Sequence, residues 1–398
     1  MRNVQLRSLM NTRQTSSIDR IKPGKRYYRP ELDALRFFAF LAVFAFHRMD
    51  YVPTDPVKDV WTYRVCTVGA FGVPVFFLLS AFLITELLVR EQASTGRVHI
   101  HSFYVRRILR IWPLYFAVFY GLALVNHFIP GTGTDNPLAW LAFTMFSGNW
   151  FITFHGWIAG SVDPLWSISV EEQFYLVIPV LAAFGGRKLL ATVSWALLAC
   201  AYVTVFLYGF HKSPGDHGEW TNSLVHFQFF SAGTLIALIL RGRMIQLPFF
   251  VRGLGFITGI ACWFVATLRL KVQSWDPQPT AFGSVAGWCL VLAGTILLFL
   301  SVLGTTENLV PRWLTYLGRI SYGLYLFHSF VFFLVFEKSK PLLNSLTAQL
   351  HLNDLFRNAV GTIAVLGLSV LAAHFSYRYF EAYFLKLKRR FTFVQARD

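Results

Sequence analysis

The sequence predicts an all-α bundle of about ten membrane-crossing helices, with both termini on the cytoplasmic side. Three observations lead there: composition, the length of the apolar runs, and the placement of the basic residues. The chain has 398 residues, of which 55% are hydrophobic, 17% aromatic and only 14% charged. A soluble chain of that length would need more charge on its surface. The apolar runs lie at 34–52, 66–89, 111–129, 165–184, 189–209, 223–240, 253–268, 282–303, 314–336 and 358–380, many of them near the roughly 20 residues that cross a bilayer. A weaker run, 138–152, contains Ser147, Gly148 and Asn149. If it crossed, Arg187–Lys188 and every later basic loop would change sides, so it is expected to be re-entrant or interfacial. Ten spans then put roughly 27 of the 36 Lys/Arg on or near the cytoplasmic side, as the positive-inside rule asks. The net charge of +16 is therefore read as topology, with no nucleic acid as partner.

Residues 1–30 hold eight Lys/Arg and no apolar h-region. They are expected to form a cytoplasmic tail that touches anionic lipid, not a cleaved signal. Residues 31–385 form the membrane domain and 386–398 a second basic tail. The longest outer segment, about 337–357, is too short for a domain. Cys66, Cys200, Cys262 and Cys289 stand singly, without the spacing of a disulfide framework.

The first run, RFFAFLAVFAFH, places Arg36 and His47 eleven positions apart. On a helix they return to nearly the same face, about 16 Å apart, with Ala39 and Val43 between them on that side. Asp33, three positions before Arg36, is within pairing distance. The second run carries GVPVFFLLSAFLIT, in which Pro74 and Ser80 are awkward in a lipid-facing span; proline is nonetheless tolerated in membrane helices. The next basic stretch, HSFYVRRILRIWP, sets Arg106, Arg107 and Arg110 on one helix flank. Arginine's planar fork suits phosphate oxygens, although basic residues also anchor the inner ends of membrane helices.

DPLWSISVEEQFYLVIP opens the fourth span. Glu171 and Glu172 fall about two turns in, where acids are costly and mark function or a buried partner. Neighbours differ by about 100° around a helix, so only one faces the axis. Ser167 is expected on the side of Glu171 and Tyr175 on that of Glu172. In the ninth span, LGRISYGLYLFH puts Ser321, Tyr325 and His328 on one face, with His328 within reach of the first helix.

These five stretches, in this order, resemble the integral-membrane acyltransferase family three over about residues 29–385. The Arg/Lys-x10-His signature matches Arg36 and His47, and R-x-x-R matches Arg107 and Arg110. WSISVEEQFYL, which includes Trp166, and SYGLYLFH are close to the usual forms. Ala81 stands where the family commonly has glycine, and a methyl there should tighten a helix approach. The resemblance implies a multi-pass protein of the bacterial inner membrane. It also implies a cytoplasmic acyl-CoA donor, in most cases acetyl-CoA, and transfer to a hydroxyl of a cell-envelope glycan or glycolipid such as exopolysaccharide or lipopolysaccharide. Arg36, Arg107 and Arg110 would hold the donor. Its pantetheine arm would thread along the Arg36–His47 face, with Ser80, Trp166, Ser321, Tyr325 and His328 in support.

An acceptor hydroxyl needs a base near pH 7, which histidine supplies. His47 is that base or an acyl carrier, with Glu171 or Glu172 expected to orient its ring. The alternatives are acylation of a secreted small molecule, macrolide-like, or a transporter or flippase, which also places His, Glu and Arg along a polar path. His99 and His101 form a possible metal pair, but no carboxylate or cysteine lies close in sequence, and no metal is expected.

Overall fold

A computed structural model describes residues 28–393 apart from 53, 56, 159, 212–217, 244, 273–279 and 350–352. Most of the expected N-terminal tail (1–27) and the end of the C-terminal one (394–398) lie outside the described residues. Every regular element among those residues is helical. Seven helices are long and apolar enough to cross a membrane, or eight if one bent pair counts as a single span. The protein is a multi-pass membrane bundle, and the ten expected runs map onto its helices unevenly.

The first helix, α1 (Pro30–Tyr51), begins with proline in its first turn and carries Glu31 and Asp33 there. Proline costs nothing where the N–H has no intrahelical partner, and acids suit the positive end of the helix dipole. Because α1 also holds Arg36, Arg48 and Asp50, it is not among the seven apolar helices. It is instead a strut with one face buried in the bundle. The expected run 66–89 breaks into α2 (Val60–Gly69) and α3 (Gly72–Thr95). At the break, a methyl on Gly69 would lie 2.2 Å from the Ala42 carbonyl oxygen, and one on Gly72 2.3 Å from that of Ala39. Pro74 falls in the first turn of α3, so it starts a helix instead of kinking one. The Ala39 side of α1 is thus covered by α3.

The helix α4 (Ile100–Phe128) holds the arginine stretch. The weak run forms two short helices, α5 (Pro137–Thr144) and α6 (Gly148–His155), each too short to cross. Phe146, with φ 52°, turns the chain between them. The buried Asn149 donates to the Thr221 carbonyl (3.1 Å) and to Ser223 Oγ (2.9 Å). Runs 165–184 and 189–209 merge into α7 (Trp166–His211), whose backbone is non-helical at Gly186 (φ 54°, ψ −147°). Its 46 residues would reach about 69 Å if straight, twice a bilayer core.

The short α8 (Gly218–Thr221) leads into α9 (Ser223–Leu240), capped by the Asn222 side chain. A methyl on Gly233 of α9 would meet the Leu78 carbonyl oxygen at 2.3 Å and Ala81 Cβ at 2.9 Å. The close approach expected at Ala81 is therefore present, and the partner helix accommodates it with glycine. Next come α10 (Phe249–Leu268) and α11 (Ala281–Val302), packed together where Gly259 meets Gly294.

The run 314–336, expected as one span, is bent by 68° between α12 (Arg312–Arg319) and α13 (Ser321–Phe332). Before the bend, Gly318 lets α12 pack directly on α1, because a methyl there would lie 1.9 Å from the Asp33 carbonyl oxygen. The chain closes with α14 (Lys340–Gln349), α15 (Asp354–Phe375) and α16 (Ala382–Lys388). Phe249, Ile257, Leu355 and Ile363 are outward and exposed, as lipid-facing residues are.

Candidate active site

Three cavities follow one another along α1. The first, about 180 Å³, is basic: Arg29, Arg36, Arg107, Arg110, Arg319 and Lys388 line it. Tyr28 lines it too, so both ends of the described chain meet at this mouth. The second, about 120 Å³, shares Arg36, Ser80, Arg107, Arg110 and Tyr175 with the first and adds Glu171 and Ser321. The third, about 410 Å³, holds His47, Asp50, Asp163, Trp157, Trp166 and Trp220. Val73 and Tyr325 belong to both the second and the third.

The arginines are placed differently. Arg36 Nη1 donates to Asp33 Oδ1 at 2.9 Å, the pair expected from spacing. Arg106 is held at 2.8 Å by Glu91 and bonds the Phe391 carbonyl, so it serves packing. Arg107 lies over the rings of Phe103 and Tyr175, 5.8 and 5.7 Å away, and its buried Nε has no partner among the described residues. Among the described residues, Arg110 hydrogen-bonds only the Arg319 carbonyl, from Nη2 at 3.4 Å. Arg107 and Arg110 thus keep donor groups free toward the first two cavities. His99 of the possible metal pair lies 3.1 Å from Glu91 and stacks on Phe393, whereas His101 is exposed.

The two glutamates separate. Glu171 accepts from the hydroxyls of Ser80 and Tyr175 and lines the middle cavity. Glu172 accepts from Trp112 Nε1 at 3.0 Å, facing α4. The expectation that Tyr175 shares the side of Glu172 is corrected: four positions return to within about 40° of the start and three only to about 60°, so Tyr175 lies over Glu171. Neither glutamate is hydrogen-bonded to His47 among the described contacts, so the expected carboxylate-oriented imidazole is not what this geometry holds. Gln173, the third polar residue, bonds Asn149 (2.9 Å) and Ser223 (2.6 Å) and locks α6 to α9.

The partner of His47 is His328. Nδ1 of the first lies 2.7 Å from Nε2 of the second, and the rings stack with centroids 4.9 Å apart. His328 Nδ1 lies 2.7 Å from the Tyr325 carbonyl oxygen. A carbonyl can only accept, so in a neutral pair His328 carries its proton on Nδ1 and offers Nε2 as acceptor. His47 must then donate from Nδ1. Its Nε2 keeps a lone pair, and no protein partner among the described residues takes it. Tyr325 is itself tied down, its hydroxyl 2.7 Å from Ser167 Oγ and 3.1 Å from the Pro164 carbonyl. Trp166 is buried against Trp220 and His226.

Of the residues that the resemblance assigns to the site, only Glu172 and His328 line none of the three cavities, and His328 contacts His47, which lines the third. Sequence reasoning missed Asp50, Asp163, Trp157, Trp220, Arg319 and Lys388. Two of these carried a usable signal. Asp50 follows His47 by three positions on α1, and Arg319 precedes Ser321 by two.

A family model described as an acyltransferase domain matches residues 29–374. A Staphylococcus aureus (strain MSSA476) protein named "Putative O-acetyltransferase" is 24% identical over 397 residues, covering 92% of this chain and 58% of its own length. Nodulation protein 10 of Rhizobium leguminosarum bv. viciae is 27% identical over 325 residues, or 76% of this chain and 83% of that protein. A Bacillus subtilis (strain 168) protein named "Putative peptidoglycan O-acetyltransferase" is 26% identical over 328 residues, 76% of this chain and 48% of that protein. The chain thus spans little more than half the length of the staphylococcal relative. No solved structure matches.

Proposed function

The chain belongs to this acyltransferase family, matched from residue 29 to 374, and from that premise we propose that it moves an acyl group, acetyl in the simplest case, from acyl-CoA to a hydroxyl of a cell-envelope glycan. The observation that carries the proposal is the sequence of cavities, basic at one mouth and acidic at the other, with an unpartnered imidazole nitrogen on the far side of the waist. The basic mouth is the cytoplasmic one in this reading, and ten spans place both termini there. The kink at Gly186 lets α7 cross twice, and α1 crosses as a strut.

Arg36, Arg107 and Arg110 hold the CoA phosphates by charge-assisted hydrogen bonds. Ser80, Glu171 and Ser321 offer polar contacts to the pantetheine arm in the middle cavity, so the arm runs past Val73 and Tyr325 instead of along the covered Ala39 face. The acceptor hydroxyl gives its proton to His47 Nε2 as its oxygen attacks the thioester carbonyl. A C–O bond forms and the C–S bond breaks. The imidazolium then returns the proton to the departing thiolate. Throughout, His328 Nε2 accepts from His47 Nδ1 and steadies the cation, the orienting role an acid plays in a serine triad.

The test is incubation of the purified full chain with acetyl-labelled acetyl-CoA and envelope glycans, followed by location of the label. Label on glycan oxygen is expected. Arg107→Lys and Arg110→Lys should each raise the donor KM about tenfold, because lysine keeps the charge and loses the fork. Unlabelled glycan from well-folded protein would refute the reading.

A further inference from the structure

The far cavity carries information about its occupant that the reaction itself does not require. Its roughly 410 Å³ falls in the usual range of small-molecule sites, roughly 300–1,000 Å³. Asp50 sits one turn beyond His47 on α1, is exposed, and makes no hydrogen bond to the described protein. Asp163 is held in place, its Oδ1 accepting from the Ile158 N–H at 3.2 Å. No lysine or arginine is among the residues that line this cavity. Its aromatic wall is rigid: the rings of Trp166 and Trp220 lie 6.1 Å apart, and Trp220 stacks on the buried Trp288 at 5.7 Å. His47 Nε2, without a protein partner, is the remaining polar feature that calls for a ligand.

Tryptophan faces accept the apolar C–H side of a ring-shaped polyol, while carboxylates take its hydroxyl protons in strong, charge-assisted bonds. An anionic group in the same space meets two carboxylates with no compensating cation, and such like-charge contacts are how sites reject a competitor. We propose that Asp50 and Asp163 make this cavity selective for an acceptor whose hydroxyl-bearing unit has no negative charge, such as a neutral hexose, and that they exclude uronate-like units. The inference rests on the acyl-transfer reading, since it identifies the cavity as the acceptor side. It also gives the molecule opposite signs at its two mouths, so a polyphosphate donor cannot enter from the acceptor end.

Binding is measured by calorimetry on the detergent-solubilised full chain without donor, using methyl glucoside and methyl glucuronide as probes. The glucoside should bind at least about tenfold more tightly, the effect of roughly 1.4 kcal/mol of repulsion. Asp50→Asn with Asp163→Asn should shrink the difference to about twofold, chiefly by strengthening glucuronide binding. Asparagine at 163 keeps the oxygen that accepts from Ile158, and an unchanged unfolding temperature checks the fold. Equal binding of the two probes by the wild type, absence of binding by either, or undiminished discrimination in the double variant would each overturn the proposal. Transfer of label is scored separately. Discrimination without transfer would count against the acyltransferase reading, and transfer without discrimination against the selectivity.

Discussion

The proton on His47 Nδ1 points toward His328, away from the proposed chemistry, and the Tyr325 carbonyl behind that ring decides why. Because the carbonyl fixes one tautomer of His328, it fixes the other histidine as well and leaves Nε2 as the basic atom. His47→Gln keeps one donor and one acceptor but cannot shuttle a proton near pH 7. It should remain folded and bind acyl-CoA with unchanged affinity, while kcat falls by about 10²–10⁴. Donor titration and initial rates on the same preparation separate the two effects. His328 gives the sharper contrast, since it touches neither substrate in the proposed path. His328→Leu removes the acceptor and frees His47 to adopt either tautomer, so kcat should fall by about 10²-fold or more with donor KM unchanged. The check is nitrogen NMR of labelled histidine: wild-type His47 should show its proton on Nδ1, and the Leu variant a mixture. A histidine that mattered only for packing would lower the unfolding temperature without shifting the tautomer.

Glycines decide how the helices of the site meet. Gly69 and Gly72 bring α2 and α3 onto α1, and Gly318 brings α12 onto the Asp33 carbonyl that precedes Arg36 by three residues. Gly318→Ala forces that backbone contact apart, a change of the overpacking kind that costs about 1–3 kcal/mol. A lower unfolding temperature is expected together with a raised donor KM, because Asp33, Arg36 and Arg319 share the displaced junction. A reporter fused after Arg187, beside the Gly186 turn, should register cytoplasm, and one within 211–222 the opposite side; the reverse result would sink the ten-span topology. Much of this level was legible in the sequence. Apolar runs gave nearly every long helix, and the motif spacings brought Arg36, Arg107, Arg110, Ser80, Glu171 and Tyr325 to connected cavities. The breaks at Gly72 and Ile320 were not legible, because they depend on which backbone a glycine faces across the bundle. The histidine pair was only half legible: helix periodicity puts His328 on an inward face, but no spacing within one helix reports a ring on another. The glutamates misled for a related reason. An intramembrane acid needs a partner: periodicity, followed closely, pairs Tyr175 with Glu171, but Ser80 and Trp112 come from other helices that no spacing within one helix reports.

Taken whole, the cavities along α1 differ in sign, the one beside Arg36 lined mostly by cations and the one beside Asp50 by two carboxylates. Donor binding at the arginine mouth should therefore weaken as ionic strength rises, while neutral-acceptor binding stays flat, because screening acts on the attraction between phosphates and cations and not on ring stacking. Measuring both KM values between low and high salt tests this. The narrow place between the two halves has a further consequence. A polar route through a membrane is an electrical hazard, since each elementary charge that slips through dissipates about 2.3 kcal/mol per 100 mV. Tyr325, anchored by Ser167 and the Pro164 carbonyl, stands beside Val73 where the middle and far cavities meet. Held there, it would let two compartments share the proposed reaction while keeping the cell's insulation intact.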